Sequence, residues 1–590
     1  MLVPIKTTKN KTMILKPSMF KYTLLIGLGF YSLTAFSQEE EQIPTEETQG
    51  KLGEIEVIRD YKPILADAVK IRQSPDLTNN RKYFSKPNYT IFDKKLDINT
   101  GTHRLEIQQV PPSRPDILTN NYAKIGVGNF NTLLGEVYIS NGEDEALQVG
   151  GFIKHLSQKG SDLEGQNFGE QKIGLFGRSI LDKITLNGEI GFNRYATRYY
   201  GFVPTLPDLN PDPIKQHYND IYIKGELNSN HEDNEELLSY SLKADGYLFG
   251  NAFSAKENSF ALSGNINKKV NAFNVGANVS GDFTNVKSQD LSLGNHIARL
   301  NPYIRFQGKN YKITLGAALV SEFGGDETRN NIFPAVDLDF ALVPEYASLY
   351  AGVKGDVVKT SYRSLANENP FISETPFIDT VSNTLVVHNM LEKLNVFGGI
   401  KGNAGATLGY KIGVFYKQLS DVPLYAINPN NPSRYDIIYD RDDKNTVFGF
   451  EGDINLRISE AFSLGGNLVF NEYDMKNEAE AWFIPKLRVA ANTRINISKK
   501  VYIDGELFFN DAMKAKSYNK FVGITTGDPN APVTVSLPAF VDLSAGIEYR
   551  ATKQIGVYVR GNNLLSNNYE RFLYYPRLGF NIIGGVNVSF

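Results

Sequence analysis

Val447-Phe448-Gly449-Phe450-Glu451-Gly452-Asp453-Ile454-Asn455-Leu456-Arg457-Ile458 sorts cleanly by parity. Even positions carry Phe448, Phe450, Gly452, Ile454, Leu456 and Ile458, and odd positions carry Gly449, Glu451, Asp453, Asn455 and Arg457. Side chains alternate across a strand, so this stretch predicts a ribbon with one greasy face and one charged face. The same pattern continues on either side of a short polar turn. Phe462, Leu464, Gly466, Leu468 and Phe470 oppose Ser463, Gly465, Asn467 and Asn471, with Val469 the exception. Leu487, Val489, Ala491, Ile495 and Ile497 then oppose Lys486, Arg488, Asn492, Arg494 and Asn496.

Working outward, the connections between such ribbons fall into two kinds. Short polar turns lie near residues 143, 181, 232, 268, 308, 344, 402, 459, 499 and 551, and long segments rich in Pro, Asn and Tyr, such as 419–445 and 512–537, alternate with them. Ten turns on one rim imply eleven connections on the other and hence about 22 strands. The predicted fold is all-β, a single large antiparallel transmembrane barrel over residues 119–590. That span allots about 21 residues to each strand with its share of connection, where a tilted spanning strand needs about 9–11. An apolar outer face is stable against lipid, and a polar inner face against water or a plug. Phe306, Tyr311, Phe462, Tyr549 and Phe590 have outward parity beside the short turns, as an aromatic girdle at headgroup level requires. A soluble propeller would show a blade-length repeat, and none is visible.

Composition agrees. The 590 residues include 36 Phe, 32 Tyr and 51 Gly against one Trp, and no Cys, which excludes disulfides and thiolate metal sites. The formal charge of −3 gives no case for nucleic-acid binding. Lys6, Lys9, Lys11, Lys16 and Lys21 precede an apolar run from Tyr22 to Leu33, and Ala35-Phe36-Ser37 supplies small residues for cleavage. Residues 1–37 therefore read as a secretory signal peptide. Its removal takes five of the 62 basic residues, leaving 57 against 65 acidic ones, a net −8. The chain is expected in the outer membrane of a Gram-negative cell, with outer-membrane lipid around it.

The final strand presents Phe580, Ile582, Gly584, Val586, Val588 and Phe590 on one face. A terminal aromatic with alternating apolar residues resembles the signal read by the barrel-assembly machinery, the partner expected for this strand, where a greasy edge can pair during insertion. Before it come Gly561-Asn562-Asn563-Leu564-Leu565-Ser566-Asn567-Asn568-Tyr569 and Tyr575-Pro576-Arg577-Leu578-Gly579. These resemble the "G-x-N-L-x-x-x-x-Y" and "Y-P-x-x-G" segments near the end of TonB-dependent receptors, and the resemblance covers about 30 residues. Gln38 after the cleavage site and Val57-Ile58-Arg59-Asp60-Tyr61-Lys62-Pro63 are similar to the Bacteroidetes type of that family. The resemblance implies a 22-strand barrel that takes up a nutrient, siderophore or glycan fragment with energy from TonB.

Such receptors fill the barrel with an N-terminal plug of well over a hundred residues. Here residues 38–118 are all that precede the first strand, with a Pro-rich run at Pro111-Pro112-Ser113-Arg114-Pro115, so a conventional plug is not expected. Glu54-Ile55-Glu56-Val57-Ile58 faintly resembles a TonB box, the strand offered to the energising protein, but five alternating residues recur by chance and read more simply as a strand or linker packed in the barrel mouth. A lumen of this width needs filling. The candidates are residues 38–118, in-folded loops such as 361–388, or a partner protein. TonB, or another outer-membrane or periplasmic partner, would be met through 38–118.

No catalytic, cofactor or metal site is predicted. His103, His155, His217, His231, His296 and His388 are scattered without ligand spacing, and no phosphate loop or nucleophile elbow occurs. Asp440-Arg441-Asp442-Asp443-Lys444 superficially suggests calcium, but Lys444 holds a would-be ligand position, so it reads as a solvated loop. Inward-parity Lys243, Asp245, Lys354, Asp356, Glu451, Asp453, Arg457, Lys486, Arg488, Arg494, Asp504 and Glu506 are expected to line a wet lumen with cross-strand pairing. Uptake is the expected function. The alternatives are a non-transporting component of a larger outer-membrane complex, or an ungated porin.

Overall fold

The computed structural model describes residues 121–590, apart from 142–145, 161–162, 204–213, 231–236, 326–327, 345, 380–383, 406 and 460. The expected signal peptide, the segment 38–118 with Glu54–Ile58, and His103 and His231 all lie outside the described residues.

Alternation decides the architecture. Twenty-two strands form one antiparallel sheet that closes on itself. Closure pairs the first strand, Asn121–Gly128, with the last, Asn581–Ser589, in a register that runs from Tyr122↔Ser589 to Gly128↔Ile583. No strand edge is left for lipid, where an unpaired backbone group has no water to bond. The seam has a specific fit. Gly126 faces Gly585 across it, and the Tyr558 ring occupies the space above them, its hydroxyl donating to the Ile125 carbonyl at 3.3 Å. A Cβ on Gly585 would sit 2.0 Å from the Ile125 carbonyl oxygen.

The apolar parity faces outward. Ile332 is 77% exposed, Val127 67%, Leu175 63% and Ile458 62%, values no water-facing core strand would show in such number. Phe450 and Phe470, partners in the sheet, stack on this face at 5.0 Å. Phe306, Tyr311, Tyr549 and Phe590 are exposed beside the turns, as a girdle requires. Greasy without and polar within, the closed sheet is an outer-membrane β-barrel.

The predicted turns are where the chain reverses on one rim: 141–146, 181–183, 230–238, 271–272, 308–310, 344–346, 405–407, 460–461, 499–500 and 551–554. The expected contrast between short turns and long loops holds only in part. On the loop rim, 129–131, 252–255, 289–290 and 324–328 are as short as turns, while 230–238 on the turn rim is longer. The strands account for the difference. Leu291–Gln307 runs 17 residues, so chain expected as loop continues instead as hydrogen-bonded hairpin beyond the bilayer, its backbone groups already paired.

Candidate functional site: a loop-built cap over a charged lumen

The lumen wall is charged and internally paired. Arg560 bridges Asp504 and Glu506, the latter at 2.8 Å. Lys411 meets Glu451 at 2.5 Å, Lys243 meets Glu226 at 3.3 Å, and Arg299 meets Asp356 at 2.9 Å. Toward the turn rim, Tyr122, Lys124, Glu136, Arg494, Glu548 and Arg550 line a cleft in which cations lie on ring faces: Lys124 is 4.1 Å from the Tyr558 centroid and Arg550 4.1 Å from that of Tyr502. Both signs are present throughout, so the wall carries no strong ion preference.

At the loop rim, the long connections turn inward. The segment 359–389 joins the strands Ala347–Val358 and Met390–Ala404. Yet the Tyr199 hydroxyl, on the strand Ile184–Tyr199, donates to the Ile372 carbonyl at 2.7 Å, and Tyr218, on Ile214–Ser229, donates to Pro370 at 3.0 Å. Twenty-two tilted strands about 4.8 Å apart make a ring roughly 40 Å across, so meeting those walls takes the segment well across the mouth.

Two further loops meet it there. Ile372 and Tyr435 form an isolated parallel bridge, with Tyr435 N–H donating to the Phe371 carbonyl at 3.0 Å. From the segment 563–580, Tyr575 stacks on Phe371 with ring centroids 3.5 Å apart, and Phe572 packs among Tyr425, Tyr435 and Phe483. The loop aromatics and wall residues Tyr199, Tyr218, Phe249 and Phe415 together make one buried apolar cluster.

Tyrosine suits this cap because backbone carbonyls buried there need donors. Its ring fills the core while its hydroxyl satisfies such a carbonyl. Tyr425 donates to Leu365 at 3.2 Å, Tyr435 to Leu573 at 2.7 Å, and Tyr575 to Ser433 at 2.6 Å. Burial pushes these three hydroxyls well above the usual tyrosine range, so they stay protonated donors.

Charged clamps fasten the cap to the wall. A short helix, Tyr362–Glu368, starts at Ser361, whose hydroxyl accepts from the Ser364 amide at 3.0 Å. The next orphan amides, of Tyr362 and Arg363, donate to the wall carboxylate Glu257 at 2.7 and 3.2 Å. Arg363 donates twice to Asp220, at 3.0 and 2.7 Å, and lies 4.4 Å from the Tyr247 centroid. Lys359 meets Asp282 and Thr284, and Arg329 spans Glu322 and Asp421 at 2.8 Å each. Arg434 pairs with Glu374 at 2.7 Å and lies over the Tyr199 ring at 3.3 Å. Arg571, buried beside Glu368, is pulled down by burial to about 9.

The Asp440–Lys444 cluster corrects the reading as a solvated loop. Arg441, Asp443 and Lys444 are exposed, but Asp440 is wholly buried. It accepts from Glu478 N at 2.8 Å, Asn477 N at 3.0 Å, Asn445 Nδ2 at 2.9 Å and Asp442 N at 3.1 Å, tying the loop 421–444 to 475–486. Nothing in the local residue pattern separates this inward aspartate from its solvated neighbours. Of the described histidines, His388 packs edge-on to Tyr439 at 5.2 Å, and burial followed by Arg441 lowers its pKa. No group of three or more His, Asp or Glu that could hold a metal converges among the described residues.

No protein-family model and no curated protein matches the chain. Solved structures do. The ferripyoverdine receptor of the outer membrane of Pseudomonas aeruginosa is 12% identical with a TM-score of 0.55, over 81% of this chain and 72% of that one. The FrpB iron transporter of Neisseria meningitidis is 11% identical with a TM-score of 0.59, over 80% and 82%. The ferric-catecholate import receptor Fiu of E. coli K12 is 8% identical with a TM-score of 0.56, over 80% and 82%. At such identities the likeness is one of fold.

Proposed function

We propose that the chain works in solute uptake across the outer membrane, as a barrel similar to the TonB-dependent receptors. In this reading residues 1–37 direct export, 38–118 form a short periplasmic or lumenal segment in place of a full plug, and 119–590 form the barrel. TonB, or another periplasmic or outer-membrane partner, engages through 38–118. No enzymatic step is assigned. The observation that carries the reading is a 22-strand barrel with a polar lumen and an inward-folded loop cap, in a fold shared with iron and siderophore receptors.

Planar-bilayer conductance tests it, using full-length protein, a variant lacking 38–118 and a variant in which a short Gly-Ser linker replaces 363–386. Uptake through a closed barrel predicts low conductance at full length and larger steps when either barrier is removed. Large stable steps at full length would instead identify an ungated porin. Co-purification with TonB that survives deletion of Glu54–Ile58 would remove that segment's claim to be the TonB box.

The cap itself favours a second reading. A mouth bridged by a buried aromatic cluster suits a structural component of a larger outer-membrane assembly, with the loops as its contact surface. Silence of all three proteins in the bilayer would support that reading over transport.

A further inference from the structure

The outer wall carries a row of basic side chains just above its lipid-facing belt. Cross-strand registers place Arg194 opposite Asn219, Asn219 opposite Gly250, Gly250 opposite Lys256, Lys256 opposite Lys287, and Lys287 opposite Ser292. These residues form one line around six strands. Their parity is outward, because the alternate neighbours Ala255, Glu257, Val286 and Ser288 are buried on the inside while Lys256 and Lys287 are exposed. Four residues higher on the first two strands, Arg198 lies opposite Lys215, again with the inward neighbours Tyr199 and Gln216 buried.

The directly opposed pair Lys256 and Lys287 is unfavourable, since the Cβ atoms of such partners lie roughly 5 Å apart. No ion pair relieves Lys215, Lys256 or Lys287 among the described residues. Asp290, at the tip of the adjoining hairpin, makes none either. Below the row the surface turns apolar. Asn258 and Asn285 come two residues down, and Phe260 faces Phe283 four residues down, both rings exposed. Four residues of a tilted strand put the lysines roughly 10 Å above that aromatic pair, the level of lipid headgroups.

We propose that this row binds the phosphate groups of outer-leaflet lipid, with the acyl chains seated on the belt around Phe260, Phe283 and Leu248. The anion is supplied by the bilayer, which resolves the opposed lysines, and the apolar surface begins within four residues of the charged one. A lysine near the end of its strand also has the reach to extend its ammonium to a phosphate while its methylenes cover the wall.

The test uses full-length protein in uncharged detergent and compares retention of bisphosphorylated lipid A with that of the same lipid stripped of phosphate. Wild type should retain the phosphorylated form preferentially. A basic residue at an anionic surface contributes about fivefold in affinity, so Lys256→Gln with Lys287→Gln should cut the preference roughly 25-fold. Arg198→Gln with Lys215→Gln should cut it in the same direction, and Lys499→Gln with Lys500→Gln at the turn rim should leave it unchanged. An unchanged heat-modifiable gel shift checks that each variant still folds. Equal retention of the two lipids by wild type, an undiminished preference in both upper-rim variants, or displacement of the lipid by millimolar inorganic phosphate would each overturn the proposal.

Discussion

Asp440→Asn tests the cap most directly, because it exchanges a single carboxylate oxygen for an NH2 at a wholly buried knot. Asp442 N–H and Asn445 Nδ2 donate to one carboxylate oxygen, and Asn477 N–H and Glu478 N–H donate to the other. An asparagine in the same place must turn its own NH2 toward one of these pairs, so two donors lose their acceptor whichever way it faces. A buried donor left unsatisfied costs about 1–3 kcal/mol, which puts local destabilisation for two donors at roughly 2–6 kcal/mol. At about 1.4 kcal/mol per factor of ten, amide protection in 475–486 or in 440–445 should fall roughly 30-fold or more. Hydrogen exchange of the full-length protein in detergent, read by mass spectrometry over those two segments, measures it. The wild-type pH dependence follows from the same geometry. Burial alone would raise the Asp440 pKa, but the hydrogen bonds from Glu478, Asn445, Asp442 and Asn477 outweigh it and hold the carboxyl below its usual range. A depressed folded pKa means that the contribution is present in full above the unfolded value, near about 4, and is lost as pH falls through the folded one. Protection corrected for intrinsic exchange should therefore be flat from neutral pH to about 4 and drop below it, while Asp440→Asn shows no such drop. Exchange within threefold of wild type in both segments at neutral pH would refute the argument that this carboxylate joins the loops.

Three further changes probe other levels of the structure. Gly585→Ala forces a Cβ against the Ile125 carbonyl at the closing seam and should lower the temperature at which the folded gel band disappears, at about 1–3 kcal/mol, whereas Gly452→Ala, which meets nothing within 4 Å, should not. Phe371→Ala removes the ring stacked on Tyr575 and should cost about 3–5 kcal/mol in the cap, seen as rapid proteolysis at 371–377 with the barrel band intact. A double-mutant cycle of Asp220→Asn and Arg363→Gln should give a coupling of about 1.5–3 kcal/mol in exchange protection of the helix Tyr362–Glu368, and a coupling near zero would mean that the clamp does not hold the helix.

Much of the barrel was legible residue by residue. The parity of Val447–Ile458 gave the two faces of its strand, and the even count of hairpins anticipated 22 strands. The inner charges sit where alternation put them, as in the pairing of Glu451 with Lys411 and of Asp504 with Arg560. Loops resisted the same reading. The run 361–388 was a candidate to fill the lumen, but nothing in it singles out Phe371 as the ring that meets Tyr575, or Pro370 as the carbonyl that meets Tyr218.

What the amino-acid order determined by itself is the solvent on each face, because a strand's period of two is a local property of the backbone. It needs no partner to be read. The tertiary structure alone decided which distant residues meet. Closing the sheet brings loops from well-separated hairpins to one mouth, so Tyr199, Phe371, Tyr435 and Tyr575 share a core that no local pattern encodes. Register did the same on the outside: Lys256 faces Lys287 only because their strands align as they do, and a slip of one residue would send one of them into the lumen.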